Sequence, residues 1–173
     1  MKLLIVDDQA AVCEALRQGV NWGNLGFDTV ETAGSVPAAR ASLMHAPADV
    51  LLCDIEMPGQ NGLDLLKWIK EQGMETRCIF LTAHARFAYV QEAMRLGAFD
   101  YVIQPAPYAE ISQVAARAAR EVQKAHDENE LQRMGRAFSE QSQAITAQAL
   151  RAFLSRQCNE RDVNTLQELG IFP

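Results

Sequence analysis

Two apolar runs in this chain each end in acid. Residues 3–6 are Leu, Leu, Ile and Val, followed by Asp7 and Asp8; residues 50–53 are Val, Leu, Leu and Cys, followed by Asp54. An unbroken apolar run of this length suits a strand buried on both faces, the condition of parallel strands covered by helices. If the two strands are neighbours, all three carboxylates meet at the C-terminal edge of one sheet. Anions held that closely take up protons or spread apart unless a cation joins them. Mg²⁺ is hard and prefers oxygen donors. The pattern therefore points to a metal and to phosphoryl chemistry.

The rest of the chain supplies what such a sheet needs. Strands are expected over 3–7, 27–32, 50–53, 78–81 and 99–103. Between them, Val12, Leu16 and Val20 fall at helical spacing, as do Leu63, Leu66 and Ile69, and Phe87, Val90 and Met94. Ser35 with Pro37 marks another helix start, and Gly97 a helix end. Asn21 to Gly26 and Met57 to Gly62 read as loops by their Gly, Asn and Pro content. A further, long helix is expected from near Tyr108. Five strands alternating with five helices predict an α/β, flavodoxin-like parallel sheet of order 2-1-3-4-5. Its ligand crevice lies at the strands' C-terminal ends, where Asp7, Asp8, Asp54, Thr82 and Gln104 all fall.

Past about residue 125 the pattern changes. Residues 126–156 carry no strand signal and no Pro or Gly except Gly135. Met134, Phe138, Gln141, Ile145 and Gln148 follow a weak heptad. Such a helix either packs back on the preceding domain or pairs with its copy in a dimer. Asn159 caps a short helix with Val163, Leu166 and Leu169, closed by Gly170. The expected organisation is a domain over 1–125, a helical linker and possible dimerisation helix over 126–157, and the start of a following region over 158–173.

Composition narrows the function. The chain has 173 residues, 49% hydrophobic and 22% charged, with a net charge of −6. An acidic chain is poorly suited to gripping a phosphate backbone directly. No apolar run approaches a membrane span, and the N-terminus turns acidic too soon for a signal peptide. A cytoplasmic protein with no membrane partner is expected. Cys13, Cys53, Cys78 and Cys158 show no CxxC spacing and read as reduced thiols. His45, His84 and His126 also lack metal-ligand spacing.

The ordered motifs resemble the receiver domain of two-component response regulators over roughly 1–125. They are Asp7-Asp8 after the first strand, Asp54 after the third, Met57-Pro58-Gly59 behind it, Thr82-Ala83 after the fourth, and Tyr101 in the fifth. Asn21-Trp22 with Leu25-Gly26-Phe27, and Gly97-Ala98-Phe99-Asp100-Tyr101, are similar to regulators with an AraC-type helix-turn-helix output. Segment 150–172 is similar to the region beyond the receiver in them. That output domain is absent from these residues.

The resemblance implies roles. Asp54 accepts a phosphoryl group from a sensor histidine kinase, with Mg²⁺ held by Asp8, Asp54, the Glu56 backbone carbonyl and, through water, Asp7. Thr82 and Tyr101 form the switch, and Ala83, Gln104, Glu56 and His84 lie near the phosphoryl group. The Gln104-Pro105 bond is expected to be cis. The partners implied are the kinase and a second copy, a homodimer, with DNA reached only through the output domain. Read without the resemblance, Asp8 is a cap for the first helix, Thr82 a helix cap, Tyr101 core packing and His84 a solvated loop residue.

Gln104 departs from the family, which places lysine there. Glutamine donates a neutral hydrogen bond and balances no charge. Glu56 adds a further negative charge, against which His84 or Arg86 are the candidate cations. The alternative reading is thus an atypical receiver that serves as a phosphorylation-independent dimerisation or interaction module. An enzyme is not expected: a phosphatase of this topology needs a DxD motif where Asp7-Asp8-Gln9 stands, and no Ser/Thr/Gly-rich loop comes after the first strand to hold a flavin phosphate.

Overall fold

Apolar strands separated by amphipathic helices assemble into one sheet. The computed structural model describes residues 1–83, 87–154 and 168. The elements are β1 (Lys2–Val6), α1 (Ala10–Gly19), a 3-10 turn (Gly23–Leu25), β2 (Thr29–Ala33), α2 (Val36–His45), β3 (Val50–Asp54), α3 (Gly62–Glu71), β4 (Arg77–Thr82), α4 (Phe87–Arg95), β5 (Asp100–Ile103) and α5 (Tyr108–Leu154). The sheet order is β2-β1-β3-β4-β5, with every adjacent pair parallel. This is the expected fold.

The described residues divide into two compact units, Met1–Lys124 and a second that begins at Ala125. In the first, alternate residues of the central strands point to opposite faces. Leu4, Val6, Leu51, Cys53, Cys78 and Phe80 pack with α2 and α3 residues such as Leu43, Leu66 and Ile69. Leu3, Ile5, Val50, Leu52, Ile79 and Leu81 pack on the other face with Leu16 of α1 and Ile111, Ala115 and Ala118 of α5. Burying each large apolar side chain contributes about 1.5–3 kcal/mol, so these two layers dominate stability.

Local signals explain most boundaries. The Ser35 hydroxyl accepts from the Ala38 amide at 3.3 Å, with Pro37 in the first turn of α2. Gly97 ends α4 with φ +79°, and its N–H donates to the Met94 carbonyl. Three expectations shift. Phe27 precedes β2 instead of joining it, because its ring packs edge-on against Trp22, 6.0 Å between centroids, in the core. In α4 it is Ala93 that is buried, while Met94 is exposed. Gln9, not Asp8, occupies the N-cap position of α1.

In the second unit, residues 125–154 are helical. Leu131 and Met134 are exposed. Of the expected heptad series, Met134 and Gln148 are exposed, and the side chains of Phe138, Gln141 and Ile145 lie outside the described residues. The short helix expected from Asn159 to Gly170 also lies outside the described residues, apart from Glu168.

Candidate functional site

Sheet register decides which loop residues meet. Val6 is opposite Cys53, so Asp7 leaves β1 beside Asp54. Asp54 is opposite Leu81, and Thr82 is opposite Ile103. The Gln104 amide donates to the Thr82 carbonyl at 2.8 Å, extending that pairing by one step. Asp7, Asp54, Thr82 and Gln104 therefore line one edge, at the C-terminal ends of β1, β3, β4 and β5.

The two central acids are held in an environment that resists their charge. Asp7 is only 4% exposed. Burial pushes its carboxyl above the usual range, the Gln9 amide opposes this, and neighbouring Asp8 adds to it. The Gln9 amide reaches Asp7 Oδ1 at 2.8 Å. Asp54 is half-buried and its carboxyl is also raised, first by burial and then by Asp7, with a smaller push from Asp8. Backbone amides of Glu56 and Ile55 pull it the other way. Among the described residues, none of the groups that shift either acid is a cationic side chain. The thiols around them are buried, Cys13 donating toward the Asp7 carbonyl and Cys53 toward the Asp54 carbonyl at 3.1 Å. Burial raises both thiols, so they stand as neutral packing groups.

These acids form a set of hard oxygen donors close enough to disturb one another's protonation, which fits Mg²⁺. Among the described residues, no three His, Cys, Asp or Glu side chains are grouped so as to hold a metal by themselves. Mg²⁺ does not require that. It is commonly bound by one or two carboxylates and keeps several waters.

The remaining candidates differ in exposure. Asp8 and Glu56 have exposed side chains, and Ala83 is exposed at the β4 end. Thr82 is buried at 1% exposure, inconsistent with a simple solvent-facing cap. Tyr101 is 36% exposed on β5, not core. The Gln104-Pro105 peptide bond is cis. His84 and Arg86 lie outside the described residues.

Sequence reasoning passed over Gly62 and Asn61, reading both as loop. Asn61 caps α3: its Oδ1 accepts from the Asp64 amide at 2.9 Å, while Asp64 Oδ2 accepts from the Asn61 amide at 3.1 Å. The spacing of Asn61 and Asp64 was the available signal, a near match to a capping box. Gly62 lies directly behind Asp54, and no local sequence signal reveals that approach.

Comparison with known proteins agrees with the geometry. The family model for the response regulator receiver domain matches residues 3–116. The transcriptional regulatory protein HptR of Staphylococcus aureus (strain NCTC 8325 / PS 47) is 27% identical over 128 residues, which is 74% of this chain and 50% of HptR. The response regulator protein PilR of Pseudomonas aeruginosa is 32% identical over 119 residues, 69% of this chain and 26% of PilR. The chain thus spans half or less of the length of these two curated relatives. Among solved structures, the REC domain of AraT, a response regulator from Geobacillus stearothermophilus, aligns with TM-score 0.65 and 31% identity, covering 72% of this chain and 97% of that one. The two component transcriptional regulator AraC from Clostridium phytofermentans ISDg aligns with TM-score 0.66 and 26% identity, covering 74% and 98%. Family match, sheet order and the acids at the sheet edge agree, and the chain belongs to the response regulator receiver domain family.

Proposed function

We propose that this chain receives a phosphoryl group on Asp54 from a sensor histidine kinase and passes the signal to a transcriptional output. The observation that carries this reading is the half-buried Asp54 carboxylate, its charge opposed by burial and by Asp7 and Asp8. Bound Mg²⁺ supplies the positive charge that holds these acids ionised and offsets charge on a transferring phosphoryl group. Asp8, Asp54 and the Glu56 carbonyl would hold it, with Asp7 supporting the site from beside them. The Asp54 carboxylate oxygen attacks phosphorus in line and the donor's bond to phosphorus breaks, leaving an acyl phosphate. The family resemblance implies that Ala83, Gln104, Glu56 and His84 act near that group. Thr82 moves to bond its oxygen, and Tyr101, now exposed, turns inward into the space vacated. The surface formed by α4, β5 and the start of α5 changes with it. The chain is an acceptor, not an enzyme, and acts in the cytoplasm, where the histidine kinases that phosphorylate such regulators present their phosphoryl group.

The likeness to the AraT and AraC regulators supports an AraC-type output domain as the route to DNA. The helix from residue 125, with Leu131 and Met134 exposed, supports a homodimer built through that linker. The test is treatment with acetyl phosphate and Mg²⁺, followed by intact mass. One added phosphoryl group is expected, absent without Mg²⁺ and absent in Asp54→Asn; an unmodified mass sinks the reading.

A second reading has its own observation. Gln104 stands at the β5 end where the family places lysine, and no described cation acts on Asp54. On this reading the domain serves mainly as a phosphorylation-independent dimerisation module. A charged hydrogen bond exceeds a neutral one by about 1 kcal/mol, so Gln104→Lys is expected to speed phosphoryl uptake by roughly five- to tenfold. Unchanged uptake and unchanged activation in that variant count against any deficit caused by Gln104.

A further inference from the structure

Gly62 opens α3 and has no room for a side chain. A Cβ built there would stand 2.3 Å from the backbone carbonyl oxygen of Asp54, 3.0 Å from Cys53 Sγ and 3.0 Å from Phe80 Cε1. Gly62 is not in the left-handed region, so its need is for space and not for an unusual φ. The nearest obstacle is main chain. Asp54 is the last residue of β3 and is registered against Leu81, so its carbonyl cannot swing away as a side chain would.

The same contact closes the loop beyond Asp54. The Gly62 amide donates to the Ile55 carbonyl at 2.9 Å. The Asn61–Asp64 capping box fixes the first turn of α3 at that point. The backbone amides of Ile55 and Glu56, inside the closed loop, favour the charged form of the Asp54 carboxylate. Asp54 is thus held from both sides: its carbonyl by the seat of α3 and its carboxylate by the loop that seat closes.

We infer that Gly62 is a positioning residue for Asp54: the bare first turn of α3 lies against the Asp54 carbonyl and fixes where the Asp54 carboxylate and the Glu56 carbonyl stand. This rests on the reading of Asp54 as phosphoryl acceptor and Mg²⁺ ligand. A methyl group at 62 pushes the turn and the Asp54 backbone apart. Both metal-facing oxygens then move together, with every acid still present. Disturbing groups behind a metal ligand commonly weakens affinity by about 10- to 100-fold. A shift near 1 Å slows a positioned reaction by about 100-fold.

The test uses the whole 173-residue chain. Mg²⁺ binding is titrated calorimetrically, phosphoryl uptake from acetyl phosphate is timed, and urea midpoints are measured. The variants are Gly62→Ala, Gly62→Ala combined with Cys53→Ala, and Leu43→Ala, a core truncation beneath α2. Gly62→Ala is expected to weaken Mg²⁺ binding about tenfold or more and to slow uptake. Adding Cys53→Ala opens space at Sγ and recovers part of the lost stability but not the Mg²⁺ affinity, because the main-chain obstacle remains. Leu43→Ala loses stability yet binds Mg²⁺ like the wild type. Wild-type Mg²⁺ affinity in either folded Gly62 variant overturns the inference, as does failure of both to fold, since the role is then structural alone. A wild-type chain that neither binds Mg²⁺ nor takes up phosphoryl instead removes the reading of Asp54, and this inference with it.

Discussion

Asp7 is the residue at which folding and function pull apart most clearly. It is almost fully buried, has an acid beside it and receives one backbone amide. Its folded-state carboxyl is raised above the ordinary range. The folded chain therefore holds its proton longer than the unfolded chain does. The associated stability is fully present below the unfolded pKa, near 4, and is lost as pH rises through the folded value. Asp54 shifts in the same direction. We expect Asp7→Asn to stabilise the metal-free chain by on the order of 1 kcal/mol at pH 7. The gain shrinks toward pH 4, where the wild-type acid is protonated. Urea midpoints at both pH values, in EDTA, measure this. Half-buried carboxylates with lowered values, such as Glu14 and Glu92, slope the opposite way, so the difference between variant and wild type is the quantity to follow. With Mg²⁺ added, the advantage of the variant is expected to vanish or reverse.

At the scale of elements, α3 carries the burden of placing the site. Its inner face, Leu63, Leu65, Leu66 and Ile69, is buried, and the spacing of Leu63, Leu66 and Ile69 was legible in the chain. Its start was not legible to the residue. A loop rich in Gly, Asn and Pro has many ways to enter a helix, and the capping box chooses one. Asn61→Ala is expected to cost about 1 kcal/mol of stability, read as a lower urea midpoint at unchanged slope. The edge elements diverged from expectation for a related reason. Phe27 follows strand preference locally, but the Trp22 ring and the core beside it claim its side chain. In α4, Met94 falls in helical phase with Val90, yet the face turned to the core carries Ala93 and leaves Met94 exposed.

For the whole molecule, the division after Lys124 sets the receiver apart from the helical stretch beyond it. Among the described residues, both apolar layers of the sheet lie within 1–124, with Val122 the last of them in either core. We expect a chain ending at Lys124 to fold cooperatively and to bind Mg²⁺ with the affinity of the full chain. Sedimentation is expected to show the full chain as a dimer and the shortened one with weaker association. Equal association in both would remove the linker as the dimer contact.

Strand number and order, the parallel sheet and the three acids at its edge could be read from residue pattern before any contact was known. Apolar period and strand-terminal charge are local properties, and they are written residue by residue. That Asp7 is buried while Asp8 is exposed, that Tyr101 faces outward, and that Gly62 lies against the Asp54 carbonyl follows only from how the elements pack. Each of those depends on which residues of separate elements arrive at the same place. Sheet register and helix docking set that, and no stretch of chain encodes it alone.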